Sequence, residues 1–350
     1  MIDFIHSFDI ILADCEKLTV NRPRHNSTIS SFNDKLFWAV LGGNAGSFGI
    51  ITKVKVKTIS DFKYPNSFGF SATRKFKKNL FFKLMKEVQK WTKGVENDSL
   101  SHDMDFMMTV ASPGRVPFPP LLVEMVHTNI SKKGNVKRNL PKLFKSVITS
   151  ASKGAKLWER VLTKSKHENL SDLSDSFVRR WPATTIDGRE FKNPYKKRVN
   201  CTVKALTNGF VTSFVNLIDR VINKENGIQL IFQMSIGGGK YNTPNYKSVS
   251  SISHRAYTYC FVFDLFYAKR KERKAIKLQK EMQALIDEHY NDGKELRVFW
   301  GSFEDTNIRK TEIRQMYYPD LKVYEKLQKI KKEVDSQDVF HTSLTVKLPE

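Results

Sequence analysis

Cysteine is scarce: the 350 residues hold three, Cys15, Cys201 and Cys260, an odd number at wide spacing. That spacing offers neither a disulfide framework nor a paired metal-ligand motif. The eight histidines include no His-x-x-x-His or His-Glu-x-x-His pair, so nothing supports a zinc enzyme. No apolar run reaches the roughly 18 residues of a membrane-spanning helix, and no such helix is expected. The N-terminus carries Asp3 and Asp9 among apolar residues and has no basic start. It reads as a strand entering a fold, not as a signal peptide. Internal repeats and a low-complexity tail are also missing.

Acidic residues are in the minority: 36 Asp and Glu face 59 Lys and Arg, a formal net charge of +23. A polyanion partner is one reading of such a balance. The basic residues are spread, however, through Lys53/Lys55/Lys57, Lys75/Lys77/Lys78, Lys132/Lys133, Lys196/Lys197/Arg198, Lys269–Lys274 and Lys329/Lys331/Lys332. A solvated basic surface explains them better, and no specific nucleic-acid partner is expected.

What is abundant is core material. Hydrophobic residues make up 40% of the chain and Phe alone contributes 25, enough for a large buried interior. Ile10–Ala13, Asp14–Lys17 and Leu18–Val20 read as strand, tight turn and strand, with Cys15 where Gly would be commoner. Residues 33–40 read as a helix capped by Asn33 or Asp34. Gly42 to Gly49 follow as a glycine-rich turn, and Ile50–Lys57 alternates as a half-buried strand. Further strands are expected at 67–71, 103–110, 121–126, 230–236, 256–265 and 296–300. Amphipathic helices are expected at 79–91, 214–221 and 271–290, the last with Ile276, Met282, Leu285 and Ile286 inward. Cys201 and Cys260 fall in apolar runs and read as small buried hydrophobes. Residues 150–200, rich in Ser and basic residues, read as a loop crossing the surface. The mixture predicts an α+β fold with an antiparallel sheet.

Two segments carry a family resemblance. Leu36-Phe37-Trp38-Ala39-Val40-Leu41-Gly42-Gly43-Asn44-Ala45-Gly46-Ser47-Phe48-Gly49-Ile50-Ile51-Thr52 resembles the D-L-F-W-A-x-x-G-G-G-G-x-N-F-G-I-V-T run of the berberine-bridge-enzyme-like FAD-linked oxidases. Tyr324, Leu327, Ile330, Lys331, Asp335 and Val339-Phe340 match that family's closing N-Y-x-R-L-x-x-I-K-x-K-Y-D-P-x-x-V-F. Ser336 stands for its Pro, and the pattern suggests a helix, a turn and a short buried strand. The resemblance implies part of a PCMH-type FAD-binding domain over 1–60, a substrate domain with an antiparallel sheet covered by helices over 61–300, and a C-terminal segment over 301–350 returning to the FAD domain. It places residue 36 late in the flavin domain, so the chain is expected to be N-terminally truncated relative to the family.

The same resemblance implies FAD as cofactor and hydride transfer from a small-molecule substrate to the flavin. Gly42, Gly43, Gly46, Gly49 and Ile50 match positions whose backbone lies near the cofactor. A glycine turn suits that role because it lets backbone N–H groups approach a ligand closely. Leu41 replaces a common Arg, and Asn44 and Ala45 replace Gly. Gly301–Asp305 resembles the family's G-[AS]-Y-x-N run, making Phe303 and Asp305 candidate cofactor contacts with a lost hydroxyl and a gained anion. Ser253-His254-Arg255 resembles the P-H-R ahead of the strand that carries the catalytic base. Val262 aligns with that base and cannot take a proton; Tyr257 and Tyr259 read as structural. No catalytic residue is therefore assigned. The family's covalent attachment His and Cys occur in sequence contexts that His6 and Cys15 do not share. Family members are mostly secreted. The expected function is an FAD-dependent oxidoreductase, with doubtful activity for this chain alone. A catalytically silent fragment or scaffold is the alternative, and a polyanion-binding protein the third reading.

Overall fold

A computed structural model describes residues 2–23, 29, 31–43, 46–65, 67–92, 104–112, 118–127, 164–167, 195–224, 227–236, 250–252, 258–290, 318, 320–342 and 345–349. The chain divides into two compact units. One comprises Met1–Thr58, Lys240–Ala256 and Lys294–Glu350, the other Ile59–Gly239 and Tyr257–Gly293.

The first unit is built on strands β1 (Ile5–Ile11), β2 (Lys17–Asn21) and β3 (Ile50–Val56), antiparallel in the order β2-β1-β3. The β1–β2 turn is closed by Leu12 N–H donating to the Glu16 carbonyl at 2.9 Å, with Glu16 N–H on Asp14 Oδ1 at 2.9 Å. Cys15 takes φ +69° there, the left-handed conformation that glycine adopts most readily. Helix α1 (Phe32–Val40) is capped by Ser31, whose hydroxyl accepts from Asp34 N–H at 3.1 Å. The cap expected at Asn33 or Asp34 is thus corrected. Asn33 is engaged elsewhere: its side-chain oxygen accepts from Asn21 N–H at 2.9 Å and its amide donates to Asn21 O at 2.8 Å, extending the edge of β2.

The long C-terminal helix of this unit (Leu321–Val334, α5 in chain order) buries Tyr324, Leu327, Ile330 and Val334 with Phe8, Ile10, Phe37 and Trp38 in one core. Phe8 and Phe37 stack at 5.6 Å between ring centroids. Each such large apolar side chain contributes about 1.5–3 kcal/mol by leaving water. Strand β3 departs from its expected half-burial. All seven of its residues are exposed, Ile50 at 56%, because the strand lies at the sheet's edge with both faces uncovered.

Among the described residues the second unit holds one antiparallel sheet of seven strands: β4 (Phe68–Lys75), β5 (Met104–Ala111), β6 (Pro120–His127), β7 (Lys164–His167), β8 (Tyr195–Val203), β9 (Ile228–Ile236) and β10 (Tyr259–Tyr267). Their spatial order is β7-β4-β6-β5-β9-β10-β8. Helices α2 (Lys78–Thr92), α3 (Asn208–Lys224) and α4 (Glu272–His289) belong to the same unit. The apolar stripe of each is what makes it amphipathic, and the alternate residues of each strand meet it. Phe214 of α3 lies edge-on to Phe232 at 4.8 Å and to Phe261 at 5.9 Å; Phe81 of α2 reaches Phe232 at 6.1 Å. In α4 Met282 and Ile286 are buried as expected, together with Ala275 and Leu278, while Ile276 and Leu285 are only half-buried.

The surface loop expected over 150–200 is also corrected: Lys164–His167 and the first residues of Tyr195–Val203 are strands at the two edges of the sheet. The basic run Lys196-Lys197-Arg198 masked β8, because Arg198 is buried by pairing with Asp264 of the neighbouring strand. The strand expected at 296–300 lies outside the described residues.

Candidate functional site

Helix α1 ends at the glycine turn because Leu41 N–H returns to Phe37 O at 3.2 Å and Gly43 N–H to Ala39 O at 2.7 Å. The fully buried Ser47 hydroxyl donates to Gly43 O at 2.8 Å and accepts Val346 N–H at 3.2 Å, tying the turn to the C-terminal segment. From the other side Ser251 N–H donates to Trp38 O at 3.2 Å.

The four glycines serve different ends. A Cβ on Gly42 would stand 2.6 Å from the Ser251 carbonyl carbon, against backbone that cannot yield. On Gly43 it would meet Ala39 O and the Phe48 ring at 2.5 Å, and on Gly49 Ile11 O at 2.5 Å. Gly46 alone faces open space, at φ +76°. Of the residues singled out from sequence, Gly42, Gly43 and Gly49 therefore admit neighbouring protein. Gly46 and the exposed Ile50 leave room for something outside it. Phe303, Asp305, His254, Arg255 and Tyr257 lie outside the described residues.

The C-terminal pattern forms a closed polar knot. Lys331 is wholly buried, pairs with Asp335, lies 3.2 Å from Asp338 Oδ1 and donates to Phe340 O at 2.7 Å. The Asp335 carboxylate accepts Val339 N–H at 2.7 Å and Phe340 N–H at 2.8 Å. Burial pushes the Asp335 pKa up, but the Lys331 ammonium and the two N–H donors outweigh it and hold it below the ordinary value. The short buried strand expected here is not formed, since Val339 is exposed and Phe340 half-buried. Their N–H groups are taken by Asp335 instead of by a strand partner.

On the second unit's sheet, the face opposite the helices carries a mixed row. Asn200 pairs across to Val262, Thr202 to Cys260, and these to Gln233 and Ser235 of β9. Gln233 Nε2 donates to Met107 Sδ at 3.1 Å and to Thr109 Oγ1 at 3.5 Å. Arg198 and Asp264 meet through two hydrogen bonds, Nη2 to Oδ2 at 2.7 Å and Nε to Oδ1. Burial pushes the Cys260 thiol up to about 12 against the opposing Ser235 hydroxyl, so it stays neutral and unreactive. Tyr259 points the other way, its ring stacked 6.4 Å from Phe261 in the core, which suits the structural role read from sequence. Among the described residues no cluster of His, Cys, Asp or Glu could hold a metal ion, and no helix is long and apolar enough to cross a membrane.

Sequence reasoning missed Ser47, Ser251 and Val346 around the turn, and Asn200 and Thr202 on the sheet. Ser47 lies inside the glycine run and its hydroxyl was a usable signal; the others depend on contacts far apart in the chain.

With that geometry in hand, known structures place the fold. The chain is similar to glucooligosaccharide oxidase from Acremonium strictum, at 17% identity and a TM-score of 0.67, over 99% of this chain and 66% of that one. It is similar also to xylooligosaccharide oxidase from Myceliophthora thermophila C1, at 16% identity and 0.68, over 100% and 67%. Physcomitrella patens BBE-like 1 gives 16% and 0.67, over 100% and 66%. The chain thus has the mixed helix and antiparallel-sheet fold of these oxidases, and it spans about two thirds of their length. No protein-family model matches the sequence, and neither does any curated protein.

Proposed function

We propose that the chain is an FAD-linked oxidoreductase of the berberine-bridge-like type, acting on a small molecule. The observation that carries this reading is the likeness of fold over nearly the whole chain, together with a glycine turn that keeps one position, Gly46, open. The glucooligosaccharide oxidase it resembles carries a 6-S-cysteinyl, 8α-N1-histidyl FAD. FAD, when bound, supplies the hydride acceptor. The residues present fit it in part: Gly46 sits on the open side of the turn, where a Cβ would meet no atom, and Ile50 is exposed. Phe303 and Asp305 complete the proposed contacts. The substrate side is the sheet face opposite the helices.

The test is titration of the purified chain with FAD, followed by flavin fluorescence. Saturable quenching is the expected result. No change at any FAD concentration overturns the reading. A second reading, a scaffold without turnover, is favoured by Val262, an apolar residue on the strand where the family keeps its base. Flavin that binds but is not bleached by any sugar, alcohol or amine in an anaerobic panel would decide for it.

A further inference from the structure

We infer that strand β3 is an interaction surface that takes an added β-strand from an acidic partner polypeptide, one whose side chains alternate between apolar and carboxylate. All seven residues of β3 are exposed and, among the described residues, the strand ends its sheet. Its outer row of backbone N–H and C=O groups therefore faces no neighbouring strand there. The opposite edge of the same sheet is treated differently. Strand β2 has five residues, and the Asn33 side chain both accepts from Asn21 N–H and donates to Asn21 O, as one more strand residue would. A long uncovered edge is a template for strand addition, and sheets that avoid it shorten or block the edge as β2 does.

The two faces of β3 fix the partner's chemistry. The register with β1 sets Val56 across from Ile5, Val54 from Phe8 and Ile51 from Ile10, with two register shifts that keep the apolar residues together. Ile5, Phe8 and Ile10 are buried in the core of the unit, whereas Ile51 is 46% exposed, Val54 45% and Val56 43%. The apolar face thus runs on past whatever covers it in β1. On the reverse face Lys53 lies across from Asp9 and Lys55 from Ser7. An antiparallel second copy centred on Val54 would set Lys53 against Lys55, and like charges directly opposite destabilise a sheet. The net charge of +23 adds to that repulsion. Carboxylates at the same places attract, so the lysines turn away a like strand and admit an acidic one. The inference stands apart from the cofactor reading, which uses Ile50 and no other residue of this strand.

Anisotropy titration of the full chain with fluorescein-labelled peptides of about ten residues, a long strand's length, tests it. One peptide alternates Val and Glu and a second alternates Val and Lys. A third alternates Gly and Glu, which keeps the charge and loses the apolar face and strand preference. The parent binds the Val/Glu peptide and neither of the others comparably. Lys53→Glu/Lys55→Glu weakens that binding about tenfold, as two reversed cross-strand charge pairs should. The same variant gains the Val/Lys peptide, which also shows that it is folded. No binding of the Val/Glu peptide by the parent overturns the inference. So does equal binding of the Val/Glu and Gly/Glu peptides, or one affinity for parent and variant, since either leaves only attraction to a basic surface. Sedimentation without peptide supplies the remaining outcome. A dimer that Ile51→Thr/Val54→Thr abolishes assigns the strand to a second copy and overturns the acidic partner.

Discussion

Two buried polar clusters divide the molecule's polar interior into opposite kinds. Around Lys331 and Asp335 the charges are paired, and the carboxylate also accepts the N–H groups of Val339 and Phe340. Around Asn200 and Thr202 the polar atoms end without partners. A group that is buried and satisfied holds the chain in place. One that is buried and unsatisfied costs stability unless something else completes it. The contrast predicts that removing polar atoms from the first cluster damages folding, and that removing them from the second costs little or stabilises.

The largest expected effect follows from breaking the closed cluster. Asp335→Asn leaves the buried Lys331 ammonium with only the partly exposed Asp338 carboxylate, at 3.2 Å, as counter-charge, and weakens two backbone contacts. Removing one partner of a buried pair costs about 3–5 kcal/mol. Urea unfolding followed by circular dichroism should show that loss; a cost below about 1 kcal/mol would mean that water reaches Lys331.

Next in size is the glycine turn. Gly42→Ala drives a Cβ into the Ser251–Ile252 backbone and should cost about 1–3 kcal/mol, as overpacking does. Gly46→Ala meets no atom and bears only its positive φ, about 1 kcal/mol. The ratio of the two thermal shifts checks the assignment. If Gly46 proved the costlier position, the open side of the turn would not be open.

Smaller again is an acid effect with a fixed sign. The folded state holds the Asp335 carboxyl below its ordinary value, so its contribution is full above the unfolded pKa and fades as pH falls through the folded one. Urea midpoints taken from neutral to acid pH should therefore fall in the parent, and Asp335→Asn should fall less steeply. Parallel curves would assign the acid sensitivity to other carboxylates.

These clusters also show what was legible in the sequence. The hairpin turn at Cys15, the glycine turn and the stripes of α2 and α3 follow from spacing of a few residues, which periodicity reads directly. Strand β8 did not, because Lys196, Lys197 and Arg198 break its apolar alternation and their compensation is remote. Asp264 lies 66 residues from Arg198 in the chain. The cap of α1 failed for a similar reason: Asn33 is a good cap by type, but Asn21 of the neighbouring strand claims its side chain. At the candidate site the glycines were visible and their neighbours were not. That Gly42 yields to Ser251 while Gly46 yields to nothing is decided by a segment about 200 residues away.

The smallest effect is also the sharpest division between the two clusters, and it uses one substitution in two places. Thr345 is fully buried, and its hydroxyl accepts Thr342 N–H at 2.9 Å and donates to Thr342 O at 3.1 Å. Thr345→Val removes both bonds and should cost about 1 kcal/mol. Thr202→Val removes a hydroxyl that is bonded to nothing and replaces it with a methyl of similar size, so the protein should be unchanged or slightly more stable. Thermal midpoints of the two variants, measured side by side, test the pair. An equal loss in both would show that Thr202 already has a partner inside the fold.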